Sequence, residues 1–451
     1  MSEVGEGVSA GIIKALKSEY IFAAIEKVTF ESGINIFDIE AGGVEKALPP
    51  SGTPHWGGGK VYPAVYVRQG GAGETKDLKV KVQWKQKSCD GAAKIKGTSS
   101  DGEIVIEGDF NVSGDKGDAE VLCTFTKKPG VVANYGKGVG VKWTVEAGGK
   151  TAVAPCGGRL KLFFVDEKPK PINWGHQKHY LKVIDWATAW AEGKSGSAAV
   201  FDALWDKFSD GSGARVPHVT GFSYWKTNDP VQDLDILIIP KGPVMKTGWS
   251  CRAIAHLFME CMALHGMQCV EVIPETPLGT YLFLVQNWGM KPSPISNWEQ
   301  LPDVYYAGSW VGSKKPPLNT AVSTSLKKEV IVPGPFSLGS GPLTTFTKDP
   351  LEIDLKKKSG VPAQGQSKAP LGFSNHWIVE TGGLLYDTSY GATYPNDIIQ
   401  YGQSAVAGWL VGALEDEYRD GFLWLKKKKS MAWQCRALPE YDLVRKAGYQ
   451  N

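Results

Sequence analysis

From residue 60 the chain takes on a period of two. Leu78-Lys79-Val80-Lys81-Val82-Gln83-Trp84-Lys85 alternates apolar and polar residues, and a strand buried on one face turns every second side chain inward in this way. Shorter runs follow at Glu103–Glu107, Glu120–Thr126, Val139–Val145 and Leu160–Val165, separated by Gly, Asp and Asn clusters. Half-buried strands at this spacing predict an antiparallel β-sandwich over residues 60–165. The stretch carries no catalytic constellation, so it reads as an accessory domain, able to dock a partner. Residues 1–59 show no clear pattern, although Ala10–Val28 admits a short amphipathic helix.

At 451 residues the chain exceeds one ordinary hydrophobic core, and two or three domains are expected. A hydrophobic share of 42% and a charged share of 22% belong to a globular chain rather than a disordered one. Fifty basic against 47 acidic residues, a net charge of +3, argue against nucleic acid or an anionic membrane as the main partner. The seven cysteines are Cys89, Cys123, Cys156, Cys251, Cys261, Cys269 and Cys435, an odd and sparse set without a CxxC pair. That set argues against a zinc knuckle and suits free thiols in a reducing compartment. No metal site and no cofactor is expected. Met1–Phe22 lacks a basic segment followed by an apolar core, and no apolar run is long enough to span a bilayer. A cytoplasmic protein, or one exported without a cleavable signal, is expected.

Asp166–Trp174, with Pro169 and Pro171, reads as a linker. Beyond it, residues 175–451 read as a catalytic domain. Helical spacing runs through Tyr180–Ala191 and Ala198–Phe208. Residues 286–370 form a proline-dense insert, either a small strand-rich subdomain or a loop bordering the site. Its lysine runs, and Lys426–Lys429 later, read as solvated faces. The 16 tryptophans read first as aromatic packing and second as a ring-lined cleft for an extended substrate.

The most informative segment is Thr247-Gly248-Trp249-Ser250-Cys251-Arg252-Ala253-Ile254-Ala255-His256-Leu257-Phe258-Met259. Ser250 is a good N-cap, apolar residues recur at Ala255, Phe258, Met259 and Met262, and Gly266 is placed to end the helix. Cys251 therefore opens a helix, where unpaired backbone N–H groups favour a thiolate and can donate to an oxyanion. Cys261, inside the helix, and Cys269, heading a strand-like run, read as core residues.

Downstream, two apolar runs flank Gly382-Gly383 in Ser374-Asn375-His376-Trp377-Ile378-Val379-Glu380-Thr381-Gly382-Gly383-Leu384-Leu385-Tyr386-Asp387, a strong hairpin signal. A two-residue turn sets His376 opposite Ser389, with Asp387 as its diagonal neighbour about 7–8 Å away. Asp387 can then accept from one ring nitrogen while the other faces Cys251. His256 lies about 140° around the helix from Cys251, and His265 about 21 Å along it. His176 and His179 read as surface residues; His55 and His218 carry no signal.

Gly248-Trp249-Ser250-Cys251-Arg252, Ala255-His256-Leu257, Leu264-His265-Gly266, His376-Trp377-Ile378-Val379-Glu380 and Tyr386-Asp387-Thr388 together resemble the bacterial type of the transglutaminase-like superfamily. The resemblance covers roughly residues 180–285 and 372–395. It implies an α+β papain-like core, here preceded by the β-sandwich, with Cys251 as nucleophile, His376 as base and Asp387 as its orienter. The His–Asp interval is shorter than usual in that family and implies a tight hairpin; the Cys–His interval is lengthened by the insert. Trp249, Trp377 and Trp225 are candidates for substrate binding or for the second oxyanion donor. The expected activity is hydrolysis of an amide or peptide bond, in a protein, peptide or peptidoglycan-like substrate, by a thiol protease or amidase working through a thioester. The alternatives are protein-glutamine transglutamination or deamidation, in which acyl transfer goes to an amine, an exported effector or toxin, and a non-catalytic binding protein on the same core.

Overall fold

The computed structural model describes residues 19–209 except 32–33, 41–43, 51–52, 73–77 and 171–177, then 251–275, 283–285, 351–353, 372–373, 376–396, 406–420, 424–434 and 442–446. It is a mixed α+β fold dominated by sheet. The first half contains β1 (Tyr20–Phe30), β2 (Ile36–Ile39), β3 (Glu45–Leu48), β4 (His55–Gly57), β5 (Lys60–Val61), β6 (Ala64–Val67), β7 (Leu78–Lys87), β8 (Gly91–Ser99), β9 (Val105–Val112), β10 (Lys116–Lys127), β11 (Ala133–Ala147), β12 (Lys150–Ala154) and β13 (Arg159–Val165). Eleven of these strands form one sheet in the order β5-β4-β1-β7-β10-β9-β8-β11-β13-β6, with β12 on β11. Every pairing in it is antiparallel except β13 with β6.

The sheet curls around a single core that includes Val28, Leu78, Ile95, Ile106, Trp143 and Leu162. Ile25 N–H of β1 donates to Pro155 O just beyond β12, at 3.1 Å, although the two strands stand far apart in the order. The alternation that predicts β7 holds: Leu78, Val80, Val82 and Trp84 point inward. The start of the domain is a correction. β1 lies between β4 and β7, so the sheet begins at Tyr20 rather than residue 60, and the helix admitted for Ala10–Val28 is a strand from Tyr20 onward. A register shift between Ile25 and Lys27 hides its period: the buried positions run Ile21, Ala23, Ile25 and then Val28, Phe30.

The predicted linker is also corrected at its start. Asp166 is fully buried, and its Oδ1 accepts from Arg68 Nε at 2.6 Å and from Gly196 N at 2.8 Å. Its own N–H donates to His265 Nδ1 at 3.2 Å, and His265 Nε2 donates to Ala187 O at 3.3 Å. Lys170 N then donates to Ala263 O. Prolines prevent a regular element here, but the backbone is still tied down on both sides. After it, β14 (His179–Tyr180) runs straight into α1 (Leu181–Trp190), followed by α2 (Ser197–Trp205) and α3 (Cys251–Leu264). β14 pairs in parallel with β2, His179 beside Ile36, so residues 36–48 belong with the second half of the chain. Tyr180 OH donates to Glu45 Oε1 at 2.8 Å.

The remaining strands are β15 (Val270–Glu275), β16 (Phe283–Val285), β17 (Leu351–Ile353), β18 (Gly372–Phe373), β19 (Ile378–Thr381), β20 (Leu384–Asp387), β21 (Ala392–Pro395), β22 (Val406–Asp420), β23 (Trp424–Gln434) and β24 (Asp442–Lys446). They form two sheets, β21-β20-β19-β15-β24 and β17-β23-β22-β16-β18. Of the insert 286–370 only β17 lies within the described residues, and it pairs with β23. Lys427, Lys428 and Lys429 stand at register positions opposite Glu417, Asp416 and Glu415. Trp84, Trp143, Trp186 and Trp190 are buried, the last two stacked at 6.1 Å, as aromatic packing requires.

Acid should weaken this fold. Burial lowers the pKa of both His179 and His265 to about 4, below the unfolded value near 6.5. The unfolded chain therefore binds more protons between those values, and stability falls as the pH drops from about 6.5 to about 4. Each histidine contributes up to about 3 kcal/mol to that loss. Denaturant titrations across this range should show the decline, and His265→Gln should be less sensitive to acid than the parent.

Candidate active site

The β19–β20 hairpin closes with Gly382 at φ +58 and Gly383 at φ +77. Both values are left-handed, the requirement of the two-residue turn whose twist matches that of paired strands. The register is the expected one, Val379 opposite Tyr386 and Thr381 opposite Leu384. At the other end of the hairpin His376 Nε2 lies 2.8 Å from Asp387 Oδ2, with both side chains fully buried. The second carboxylate oxygen, Oδ1, accepts from Ser389 N at 3.0 Å and Tyr390 N at 3.3 Å. Asp387 is thus satisfied on both sides, and the Tyr390 ring packs 5.8 Å from the imidazole.

Cys251 is the first residue of α3 and is 1% exposed. The helix stops as its sequence predicts. Met267 N donates to Met262 O and Gly266 N to Ala263 O, with Gly266 at φ +81, which is the Schellman pattern. Phe258 of α3 packs 6.4 Å from Tyr386, and Phe201 and Trp205 of α2 reach the same ring. The helix therefore rests on the hairpin, with its N-terminus at the base.

Burial by itself would lower the His376 pKa. The charge of Asp387, then that of Cys251, and the hydrogen bond with Asp387 outweigh it and raise it well above the ordinary imidazole value, to about 10. The three predicted residues are thus brought together: the imidazole bonds the Asp387 carboxylate through Nε2, and Cys251 lies near enough for its charge to act on the ring. The next residues along also meet, since the Arg252 guanidinium lies 6.0 Å from the Trp377 ring centre, a cation–π contact. Trp249, Ser250 and Trp225 lie outside the described residues.

The other candidates divide. Cys261 and Cys269 are buried, and burial followed by the Glu260 charge holds the Cys261 thiol well above its usual pKa. His179, expected at the surface, is 7% exposed, on β14 where it pairs with Ile36 of β2; His176 and His218 lie outside the described residues. His55 bonds Thr53 O through Nδ1. His256 bonds Glu271 on β15 at 3.0 Å, a partner that sequence reasoning missed, as it missed Tyr390 and the two backbone donors to Asp387. Asp followed by Thr-Ser at the end of a strand is a local signal for those donors, because such carboxylates accept from N–H groups two residues on. Among the described residues no group of three or more His, Cys, Asp or Glu side chains is arranged to hold a metal, and no helix is long and apolar enough to cross a membrane. Comparison with family models, with curated proteins and with solved structures finds no match to this chain.

His376 should stay protonated through neutral pH and lose its proton as the pH rises through about 10. Because this pKa lies above the unfolded value, the associated stability is complete below about 6.5 and is lost as the pH rises toward 10. Asp387→Asn removes the larger of the two raising charges, so the imidazole titration followed by NMR should move down by more than one pH unit.

Proposed function

We propose that the chain is a thiol-dependent hydrolase of amide or peptide bonds, with a transglutaminase-like core that joins α3 to the β19–β20 hairpin. The observation that carries this reading is His376 held between Asp387, at 2.8 Å, and Cys251 at the start of a helix. Isolated buried cysteines and histidines occur in many cores. A buried imidazole that bonds a carboxylate and lies beside a helix-initial thiol is the arrangement of an activated nucleophile.

In this reading His376 already carries its proton, and the Cys251 sulfur attacks the substrate carbonyl as the thiolate paired with that imidazolium. A C–S bond forms while the carbonyl electrons move onto oxygen. Backbone N–H groups in the first turn of α3 are placed to donate to that oxygen. The tetrahedral adduct collapses, the C–N bond breaks, and the leaving amine takes the proton from His376. Water then attacks the thioester, giving its proton to His376. The C–S bond breaks, the carboxylic acid departs, and the sulfur and the protonated His376 return to their starting state. Asp387 keeps the imidazole oriented throughout and stabilises its cationic form. An amine in place of water would turn the same cycle into transglutamination.

Cys251→Ala should abolish turnover, since no other group forms the thioester. His376→Ala should lower it by roughly 10²- to 10⁴-fold. Asp387→Asn should cost less, because an amide still bonds the ring. Casein hydrolysis and amine incorporation into a glutamine donor, measured side by side on folded variants, check the ranking. Wild-type turnover in Cys251→Ala would refute the enzyme, and incorporation exceeding hydrolysis would make the enzyme a transglutaminase. Iodoacetamide mapped by mass spectrometry should modify Cys251 before Cys261, whose thiol burial keeps protonated.

A further inference from the structure

We propose that the buried His256–Glu271 pair is a positioning device that sets Cys251 against His376. The proposal rests on the thiol reading above. His256 follows Cys251 on α3 by about 7.5 Å of helix rise. Its Nε2 lies 3.0 Å from Glu271 Oε1, and both residues are buried, at 6% and 8% exposure. Glu271 stands on β15 opposite Val379 of β19, the strand that begins two residues after His376. One polar bond therefore joins the nucleophile's helix to the strand alongside the base.

Other contacts also join α3 to the hairpin, among them the Arg252 guanidinium 6.0 Å from the Trp377 ring centre. Phe258 on Tyr386 is an aromatic contact at 6.4 Å, and apolar packing is less directional than a hydrogen bond. The Schellman turn and the His265 bonds fix the far end of α3. A hydrogen bond to a buried carboxylate is different: it weakens steeply with distance and angle, and breaking it strands a charge away from water. His256–Glu271 is the buried directional contact nearest Cys251 among those described between α3 and β15. It fixes the axial position of the helix at the end where a displacement of about 1 Å costs the most reactivity. His256 is too far from the sulfur to act on it, and it works through the helix it sits on.

The test uses the full chain and two readouts, the rate at which iodoacetamide modifies Cys251 and the NMR titration of the His376 imidazole. Glu271→Asp keeps the charge but shortens the reach by one methylene. It should slow Cys251 modification tenfold or more and move the His376 titration down by at least one pH unit, with the chain still folded. His256→Leu should behave likewise. His256→Gln, whose amide nitrogen reaches the place of Nε2, should restore both readouts to near the parent values. Folded Glu271→Asp and His256→Leu chains with unchanged rate and titration would overturn the proposal. So would unfolding of both variants under conditions where the parent is folded, since the pair would then support the fold and not the alignment. If Cys251 in the parent shows no preference over the other cysteines, the thiol reading itself fails, and the His376 titration in Glu271→Asp still judges the alignment separately.

Discussion

A carboxylate buried to zero exposure constrains everything around it. The oxygens of Asp387 are costly to bury in such a place unless they find donors. Two come from the backbone of Ser389 and Tyr390, and the third is the imidazole of His376. The chain must therefore turn immediately after β20, which it does by bonding Gly391 N to Asp387 O. It must also bring residue 376 back across the hairpin, which the left-handed glycine pair at 382 and 383 allows. The charged imidazole that results is the feature from which the proposed chemistry follows.

The helix that meets this imidazole is held from both ends. At its C-terminus, His265 links to Ala187 of α1 and to the backbone of Asp166, whose carboxylate is gripped by Arg68 from the β domain and by the N–H of Gly196 before α2. A low pKa suits His265 here, because only a neutral ring can accept from Asp166 and donate to Ala187. The β domain is thus more than a tethered accessory: its last strand delivers the residue on which α1, α2 and α3 converge.

The site was legible where short-range rules govern it. A helix-initial cysteine, a glycine C-cap and a Gly-Gly hairpin each involve residues close in sequence, and the register of that hairpin determines which residue His376 meets. What escaped the sequence was long-range or masked by irregularity. β1 was hidden because one extra residue near Glu26 shifts its alternation. Asp166 looked like the start of a linker because its partners, Arg68 and Gly196, are far away in the chain. Glu271 gave no sign of pairing with His256, since the bond depends on how α3 lies across β15. His179 looked polar and exposed until β2 was found beside it.

That last pairing has a consequence for how the protein is made. β2 leaves the ribosome long before its partner β14, and all of the large sheet except β1 is synthesised between them. Such non-local pairing closes late. While the sheet folds, Ile36 and Phe37 must wait with their strand edge unpaired, and the first turn of α1 forms beside a surface made from the oldest part of the chain. Division of the gene near residue 170 would not yield two independent halves: the C-terminal fragment would carry α1 without the strand that its entrance was built against, and the N-terminal fragment would expose that strand to other chains.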